Sequence, residues 1–420
     1  MNYHLKLALL ATVLTVFGLA CQPDEEPLPP PDISPSDTFR PFDVPPNLAW
    51  QIPLQPDSSR YETEITPLLA GELILYITQS QSTTTAGEAV VAVDQNGTEQ
   101  WRWQDYTASL RSNQIEAAAV ADGTLVVQTG GQYYGIDAQT GTTRWYLDMA
   151  GGRAPLVPFE DRVYQRFDYY PNADGDGGQI RYLDAATGQW TTVAGQYRPS
   201  SYCSLRYSPP AVERNATGTV RVYYTVRTCT PDGDAQVRYH AFNESTGQND
   251  FRHVHDAPGS LWDGAPLLAD SALFVVYTDR FIKLHKATGQ EVWQTSTAER
   301  FFVDGSHSYV LTDAALLCST FPTGIVVERE TGAVSDPRNG WPSSYRIAGA
   351  APYYVVSDDE VLGTIHPQTG QTSTKIELFN RENGYGHPHA KFETGVRLDA
   401  ARDRLYVSDG YYLIALELPL

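Results

Sequence analysis

The chain has 420 residues, too many for a single small domain, and 50 Asp and Glu against 30 Lys and Arg give a formal net charge of −20. An acidic field of that size argues against nucleic acid or anionic lipid as a ligand and keeps a large β-surface soluble. With 26 Tyr, 33 Gly and 2 Met, and no helical stretch beyond the first twenty residues, the composition points to an all-β protein.

In chain order, residues 1–20 read as an export signal: Lys6 is a short basic start, and Leu7 to Leu19 form an apolar run too short to span a bilayer. Phe17-Gly18-Leu19-Ala20-Cys21 resembles a bacterial lipobox, which implies cleavage before Cys21 and lipidation of that cysteine. Residues 21–46 follow as a tether. Nine prolines between 22 and 46 exclude a core there and favour extended polyproline, with a reach of roughly 75 Å. Gln22 stands directly after the cysteine, where Asp would be the enterobacterial inner-membrane retention signal. The acidic run Asp24-Glu25-Glu26 resembles a surface-export tether. The expected address is therefore the outer membrane, lipid-anchored, at the cell surface or on the periplasmic face.

Residues 47–420 carry a repeat. A short apolar run, an acidic or polar residue and a turn glycine recur at Asp94 to Gly97, Asp137 to Gly141, Asp184 to Gly188, Asn243 to Gly247, His285 to Gly289, Glu328 to Gly332 and His366 to Gly370. The glycines lie 38 to 59 residues apart, the spacing of a four-stranded propeller blade. Four residues after the glycine comes Trp101, Trp145, Phe251 or Trp293; Thr192, Asp336 and Thr374 take that place elsewhere, and Trp50 ends an outer-type strand with no such turn before it. These segments resemble the quinoprotein-type (PQQ-like) propeller repeat, and the resemblance implies that the tryptophans pack between neighbouring blades. Arg404 to Ser408 and Tyr411 to Leu418 read as strands of a blade lacking its outer strand, which Leu48 to Ile52 would supply. The expectation is a single domain, an eight-bladed β-propeller of four-stranded antiparallel blades, its ring closed by the N-terminal strand completing the C-terminal blade; the irregular interval between Gly188 and Gly247 leaves seven open.

Cysteine usage fits an oxidising compartment. Cys203 and Cys229 fall in two loops of the fourth repeat that share one face of a propeller, and are expected to form a disulfide; Cys318, beside Ala315-Leu316-Leu317, reads as a buried thiol. Asn172, Asp174 and Asp176 before Gly177 have the alternating oxygens of a calcium loop without its twelfth-position Glu, and a polar hairpin tip explains them as well. His387 and His389, like His253 and His255, can be metal ligands or solvated loop residues. Long loops bring Tyr106, Tyr202, Tyr207, Trp262, Trp341, Tyr345 and Tyr385 toward one face, as a binding surface or as blade packing.

The sequence has no His-Glu-x-x-His, Gly-x-Ser-x-Gly or phosphate-binding Gly-Lys-Ser/Thr motif. Quinone-dependent alcohol dehydrogenases share the repeat, but stack the cofactor against a disulfide of adjacent cysteines, and this chain has no adjacent pair. No cofactor is expected. The plan of anchor, tether and propeller is similar to that of BamB-type outer-membrane assembly lipoproteins, which implies a non-enzymatic scaffold for envelope proteins. The alternative is a surface propeller that binds or processes glycans, with Asp263, Asp304 and Glu382 as loop acids from which a catalytic pair would have to come.

Overall fold

The computed structural model describes residues 47–54, 65–79, 88–105, 114–149, 154–169, 177–197, 206–229, 235–256, 264–277, 280–296, 309–319, 324–335, 346–350, 353–357, 361–366, 376–377, 396–408 and 411–418. All lie within one compact unit, Arg40–Leu420. Every sheet is antiparallel, and sheets 1 to 7 each take their strands from one repeat. Sheet 1 holds Leu68–Ala70, Leu73–Gln79, Glu88–Val93 and Glu99–Trp103; sheet 2 holds Ile115–Ala121, Thr124–Thr129, Gln132–Asp137 and Thr143–Asp148. Sheet 3 is Leu156–Phe159, Arg162–Tyr169, Gly177–Asp184 and Trp190–Tyr197, and sheet 4 is Arg206–Tyr207, Ala211–Arg214, Val220–Cys229, Ala235–Asn243 and Gln248–Asp256. Sheet 5 comprises Leu267–Leu268, Ala272–Val276, Arg280–His285 and Glu291–Ser296, and sheet 6 comprises Tyr309–Leu311, Ala315–Ser319, Gly324–Glu328 and Val334–Ser335. Sheet 7 has Arg346–Ala350, Tyr353–Ser357, Val361–Thr364 and Ile376–Glu377, and a terminal sheet joins Val396–Asp399, Arg404–Ser408 and Tyr412–Glu417 to the N-terminal strand Asn47–Pro53.

Two parts of the expected architecture are corrected. Seven sheets have four strands, not eight, because sheet 4 has five. Pro209 and Pro210 lack the amide a ladder needs and split its first strand in two; Arg206–Tyr207 pairs with Val226 and Arg227, and Ala211–Arg214 with Val220 to Tyr223. Nor does any sheet close into a ring. Asn47–Pro53 pairs antiparallel with Tyr412–Glu417, Leu48 opposite Leu416 and Ile52 opposite Leu413, at the edge of an open sheet.

Burial follows strand position. The second and third strands of sheet 2, Thr-Leu-Val-Val-Gln-Thr and Gln-Tyr-Tyr-Gly-Ile-Asp, are buried almost throughout, whereas its outer strand alternates half-buried with exposed residues. A middle strand is covered on both faces by neighbouring sheets and so reads as a continuous apolar run; the outer strand has one wet face and alternates. The core is accordingly a series of seams. Leu75, Ile77 and Ala92 of sheet 1 pack on Leu125, Val127 and Ile136 of sheet 2, and similar clusters join sheets 2 and 3, 3 and 4, 4 and 5, 5 and 6, and the terminal sheet to sheet 1. What holds each seam at its outer end differs, and that difference defines the site.

Candidate functional site

The repeated turn is a socket. In sheet 1 the Asp94 carboxylate accepts the amides of Asn96 (2.8 Å) and Thr98 (2.9 Å). In sheet 2 Asp137 accepts those of Gln139 and Thr140, both at 2.9 Å. A short polar side chain therefore ties the turn to itself, and the glycine that closes it has φ between +68° and +79° in the six described turns. Conformation is half of the reason for glycine. A Cβ on Gly141 would stand 2.7 Å from the Trp101 ring, one on Gly188 2.8 Å from Trp145, one on Gly289 2.2 Å from Phe251 and one on Gly332 2.8 Å from Trp293; Gly97 lies under Trp50 in the same way, at 3.0 Å. The outer-strand aromatic of one sheet thus lies on the turn of the next.

Indole nitrogens complete the fit. Trp50 donates to the carbonyl of Gln95 (2.9 Å), Trp145 to Ala185 (2.8 Å) and Trp293 to Arg329 (3.3 Å), each the residue after the acidic one of the turn. On its own sheet the ring needs a small residue beneath it. Gly135, opposite Trp145, would place a Cβ 2.0 Å from that ring, and Ala92 and Ala241 lie opposite Trp101 and Phe251.

The seam between the terminal sheet and sheet 1 adds a polar clasp to its tryptophan. The Gln95 carbonyl also accepts a bond from Arg404, Tyr406 donates to the Gln95 side chain at 2.8 Å, Arg402 pairs with Glu72, and Arg397 Nε donates to the Pro67 carbonyl at 2.9 Å. Trp50 and Tyr406 lie with ring centroids 6.0 Å apart. Residues more than 300 positions apart in the chain are thereby fastened together.

The seam between sheets 3 and 4 is built otherwise. Thr192 takes the docking aromatic's place by offset from the turn, but it is exposed and pairs with Arg181, whereas Tyr182 pairs with Thr191; among the described residues no atom lies within 4 Å of where a Cβ on Gly247 would be. Arg162 Nη1 pairs with Glu244 Oε2 at 2.5 Å, and the Tyr164 hydroxyl donates to Glu244 Oε1 at 2.7 Å. Burial, and then the bond to Glu244, push the Tyr164 phenol up from its ordinary value. Arg214 of sheet 4 reaches back to Glu160 of sheet 3, with Nε 2.7 Å from Oε1. Tyr182 occupies the position held by Ala92, Gly135 and Ala241 elsewhere, and the Arg162 guanidinium lies 4.3 Å from its ring centre.

Among the expected binding-face residues only Tyr207 falls within the described residues, and it is not on a surface. It is 2% exposed, stacks on Tyr224 with centroids 6.0 Å apart, and covers Gly178 and Gly195, which leave room for its ring. Its two-residue strand turns the side chain into the seam between sheets 3 and 4, so it serves packing. Tyr106, Tyr202, Trp262, Trp341, Tyr345 and Tyr385 lie outside the described residues, as do Cys21, Cys203, Asn172, Asp174, Asp176, His387, His389, Asp263, Asp304 and Glu382. Cys229 ends its strand with backbone pairing to Ala235, and His253 and His255 lie in the outer strand of sheet 4; their side chains are outside the described set. Cys318 is an unbridged thiol, 1% exposed among Phe281, Tyr309 and Leu316, and burial raises its pKa well above the usual thiol range.

Among the described residues no group of three His, Cys, Asp or Glu side chains converges as a metal site. A cleft of about 420 Å³ opens between the turns of sheets 4 and 5, lined by Glu213, Arg221, Asp270, His285 and Lys286. Two of its cations are matched, Lys286 to Glu213 at 2.7 Å and Arg221 to Asp250 at 2.8 Å, so the cleft fastens two sheets together. The functional elements that sequence reading missed are Arg162, Tyr164, Tyr182 and Glu244. Their one legible trace was a bulky Tyr182 where the other repeats hold alanine or glycine.

The family model described as outer membrane protein assembly factor BamB matches residues 86–217, just under a third of the chain. No curated protein sequence gives a significant match. Among solved structures, BamB from Moraxella catarrhalis is similar with a TM-score of 0.58 at 18% identity, over 88% of this chain and 97% of that one. Quinohemoprotein alcohol dehydrogenase from Comamonas testosteroni is similar at TM-score 0.55 and 12% identity, over 89% of this chain and 77% of that one. Quinohemoprotein alcohol dehydrogenase ADHIIG from Pseudomonas putida HK5 reaches 0.60 at 12% identity, over 89% and 76%. At such identities the likeness is one of fold, shared by a protein named for assembly and by enzymes. Together with the sockets, it supports a β-propeller fold of the PQQ-like, BamB type.

Proposed function

We propose that this protein is a non-enzymatic envelope lipoprotein, anchored at the outer membrane through Cys21, whose propeller is a scaffold for other envelope proteins. The observation that carries this reading is the completeness of the likeness to BamB. This chain covers 97% of that structure, whereas it covers 77% and 76% of the two alcohol dehydrogenases. The adjacent cysteines expected under a quinone are also missing from the sequence. Trp50, Trp101, Trp145, Phe251 and Trp293 of the outer strands are spent on sockets, and Arg162, Arg214, Lys283, Lys286 and Arg402 on ion pairs across seams, so the fold invests these side chains in a rigid body. Rigidity suits a surface that holds partners in fixed geometry.

The test is crosslinking in native outer membranes, followed by affinity capture and mass spectrometry, with Cys21→Ala as the unanchored control. A small, reproducible set of envelope proteins captured by the wild type and lost in the variant is expected. Empty captures from both forms, or turnover of a substrate by the purified protein, would overturn the proposal.

A further inference from the structure

We propose that Arg181, Phe167 and Gln179 of sheet 3 form a carboxylate-binding shelf in the seam between sheets 2 and 3, at the end away from the turns, and that it takes a glutamate side chain of a partner protein. The inference deepens the scaffold reading and rests on it. Across other seams cations are matched to carboxylates: Arg162 to Glu244, Arg214 to Glu160, Lys283 to Glu330 and Lys286 to Glu213. Arg166 and Arg397 reach carbonyls of neighbouring sheets, those of Tyr207 and Pro67. Arg181 instead turns back onto its own sheet, and no carboxylate among the described residues pairs with it. Burial lowers its pKa from the ordinary value, and the Tyr133 phenol acts the other way. The sheet 2 side of the seam offers Tyr133, Leu147 and Met149, none of them charged at neutral pH.

The guanidinium is held in place from one side. It lies 3.9 Å from the centre of the Phe167 ring, and its Nε donates to Gln179 Oε1 at 2.8 Å. Phe167 is 3% exposed, so its ring is a fixed floor beneath the cation. Thr192, opposite Arg181 on the outer strand, donates to the same Oε1 at 3.3 Å. Two donors on one oxygen fix the orientation of that carboxamide and leave its NH2 group as a donor. The shelf therefore presents N–H groups only, from Arg181 Nη1 and Nη2 and Gln179 Nε2, and the planar two-oxygen carboxylate matches the guanidinium fork. Sheet 2 leaves it uncovered. From Thr124–Asp137 to Thr129–Gln132 sheet 2 makes six residue pairs and then closes over Gly130-Gly131, whereas sheet 3 makes eight, from Arg162–Asp184 to Tyr169–Gly177. Gln128 and Tyr133 of the fifth pair bond to Gln165 of the fourth pair in sheet 3, so the sixth pair there, Phe167 and Gln179, stands beside two glycines without side chains. A ligand enters over that glycine turn, and a glutamate side chain reaches the shelf without drawing its own backbone between the sheets. The acidic field of the whole chain is screened beyond about 8 Å at physiological ionic strength, so the guanidinium in contact sets the sign of what binds.

The probe is N-acetylglutamic acid α-amide, titrated at neutral pH and constant ionic strength into the full chain labelled with 15N in its arginine and glutamine side chains. Its neutral isostere, N-acetylglutamine amide, is the control. The Arg181 Nε–H and Gln179 NH2 resonances are expected to move with the glutamate probe and stay still with the glutamine probe, while Arg162 Nε–H, whose guanidinium is already paired, stays still with both. Arg181→Lys keeps the charge and loses the fork, and the Gln179 resonance is then expected to need about tenfold more probe to move. Stationary Arg181 and Gln179 resonances, an equal response to the two probes, or equal binding by Arg181→Lys and wild type would overturn the shelf. A stronger response to N-acetylglycine than to the glutamate probe would overturn the glutamate in favour of a chain terminus. The wild-type readout needs no variant to fold. If the shelf fails while anchor-dependent crosslinks persist, the scaffold stands with its partner elsewhere; if Arg181 responds and the crosslinks are absent, the shelf stands and the scaffold reading falls.

Discussion

The seam between sheets 2 and 3 and the seam between sheets 3 and 4 solve one problem by opposite means. The first lays Trp145 on Gly188 and ties its indole to Ala185, with Gly135 beneath the ring. The second has no docking ring on Gly247 among the described residues, and relies on Glu244 accepting from both Arg162 and Tyr164. An apolar lock is a shape problem: it tolerates salt and pH but not added volume. A polar lock is a charge problem. It tolerates small changes of shape, and it weakens when its carboxylate is neutralised or screened.

Gly135→Ala should break the first seam and produce the largest effect. A methyl 2.0 Å from the Trp145 ring forces that ring off its turn, and we expect a loss of about 3 kcal/mol in urea unfolding. An unchanged midpoint would mean that the ring has room the structure does not show. Glu244→Gln should cost the second seam less, about 1–2 kcal/mol, because Arg162 and Glu244 keep some exposure and the amide still accepts one bond. Its diagnostic is salt. Wild-type stability should fall modestly as NaCl rises toward molar concentrations, and the variant should lose most of that dependence.

Much of the lock at the first seam is visible in the sequence, since Asp184, Gly188 and Trp145 recur at fixed offsets and each offset has a local cause. Thr192 at the aromatic's offset is equally visible. What replaces it is not: Arg162 and Glu244 are 82 positions apart, and nothing in either one's neighbourhood marks the other. Tyr207 could be read as surface or as packing for a related reason. An aromatic in an irregular segment reads as exposed, and only the pair Gly178 and Gly195 on another sheet reveals the pocket that takes it. The split first strand of sheet 4 went unread although Pro209-Pro210 lack the amides a ladder needs, and its continuation on the far side of the prolines depends on the partner strand Val220–Cys229.

A smaller effect sharpens the comparison within the sockets themselves. Arg144, 2.6 Å from Asp137, together with the turn amides of Thr140 and Gln139, holds that carboxyl near 2 against an ordinary 3.8. A depressed folded-state pKa contributes stability that is present above the unfolded value and is lost as pH falls through the folded one. The stability gap between wild type and Asp137→Asn, which keeps the turn-forming acceptor, should therefore be constant near neutrality and close between about pH 4 and pH 2. A gap that persists unchanged to pH 2 would assign the effect to turn geometry and remove the charge from the account.

The central claim is that seams of one fold differ in how they are locked, and native-state amide exchange tests it most directly. Protection should be compared for the outer strand of sheet 3, 190–197, with the turn 243–247, and for the outer strand of sheet 2, 143–148, with the turn 184–188. The account predicts a lower opening free energy at the seam between sheets 3 and 4, and a difference that widens in 1 M NaCl as Arg162–Glu244 is screened (Debye length about 3 Å). Equal protection at both seams, unmoved by salt, would contradict it.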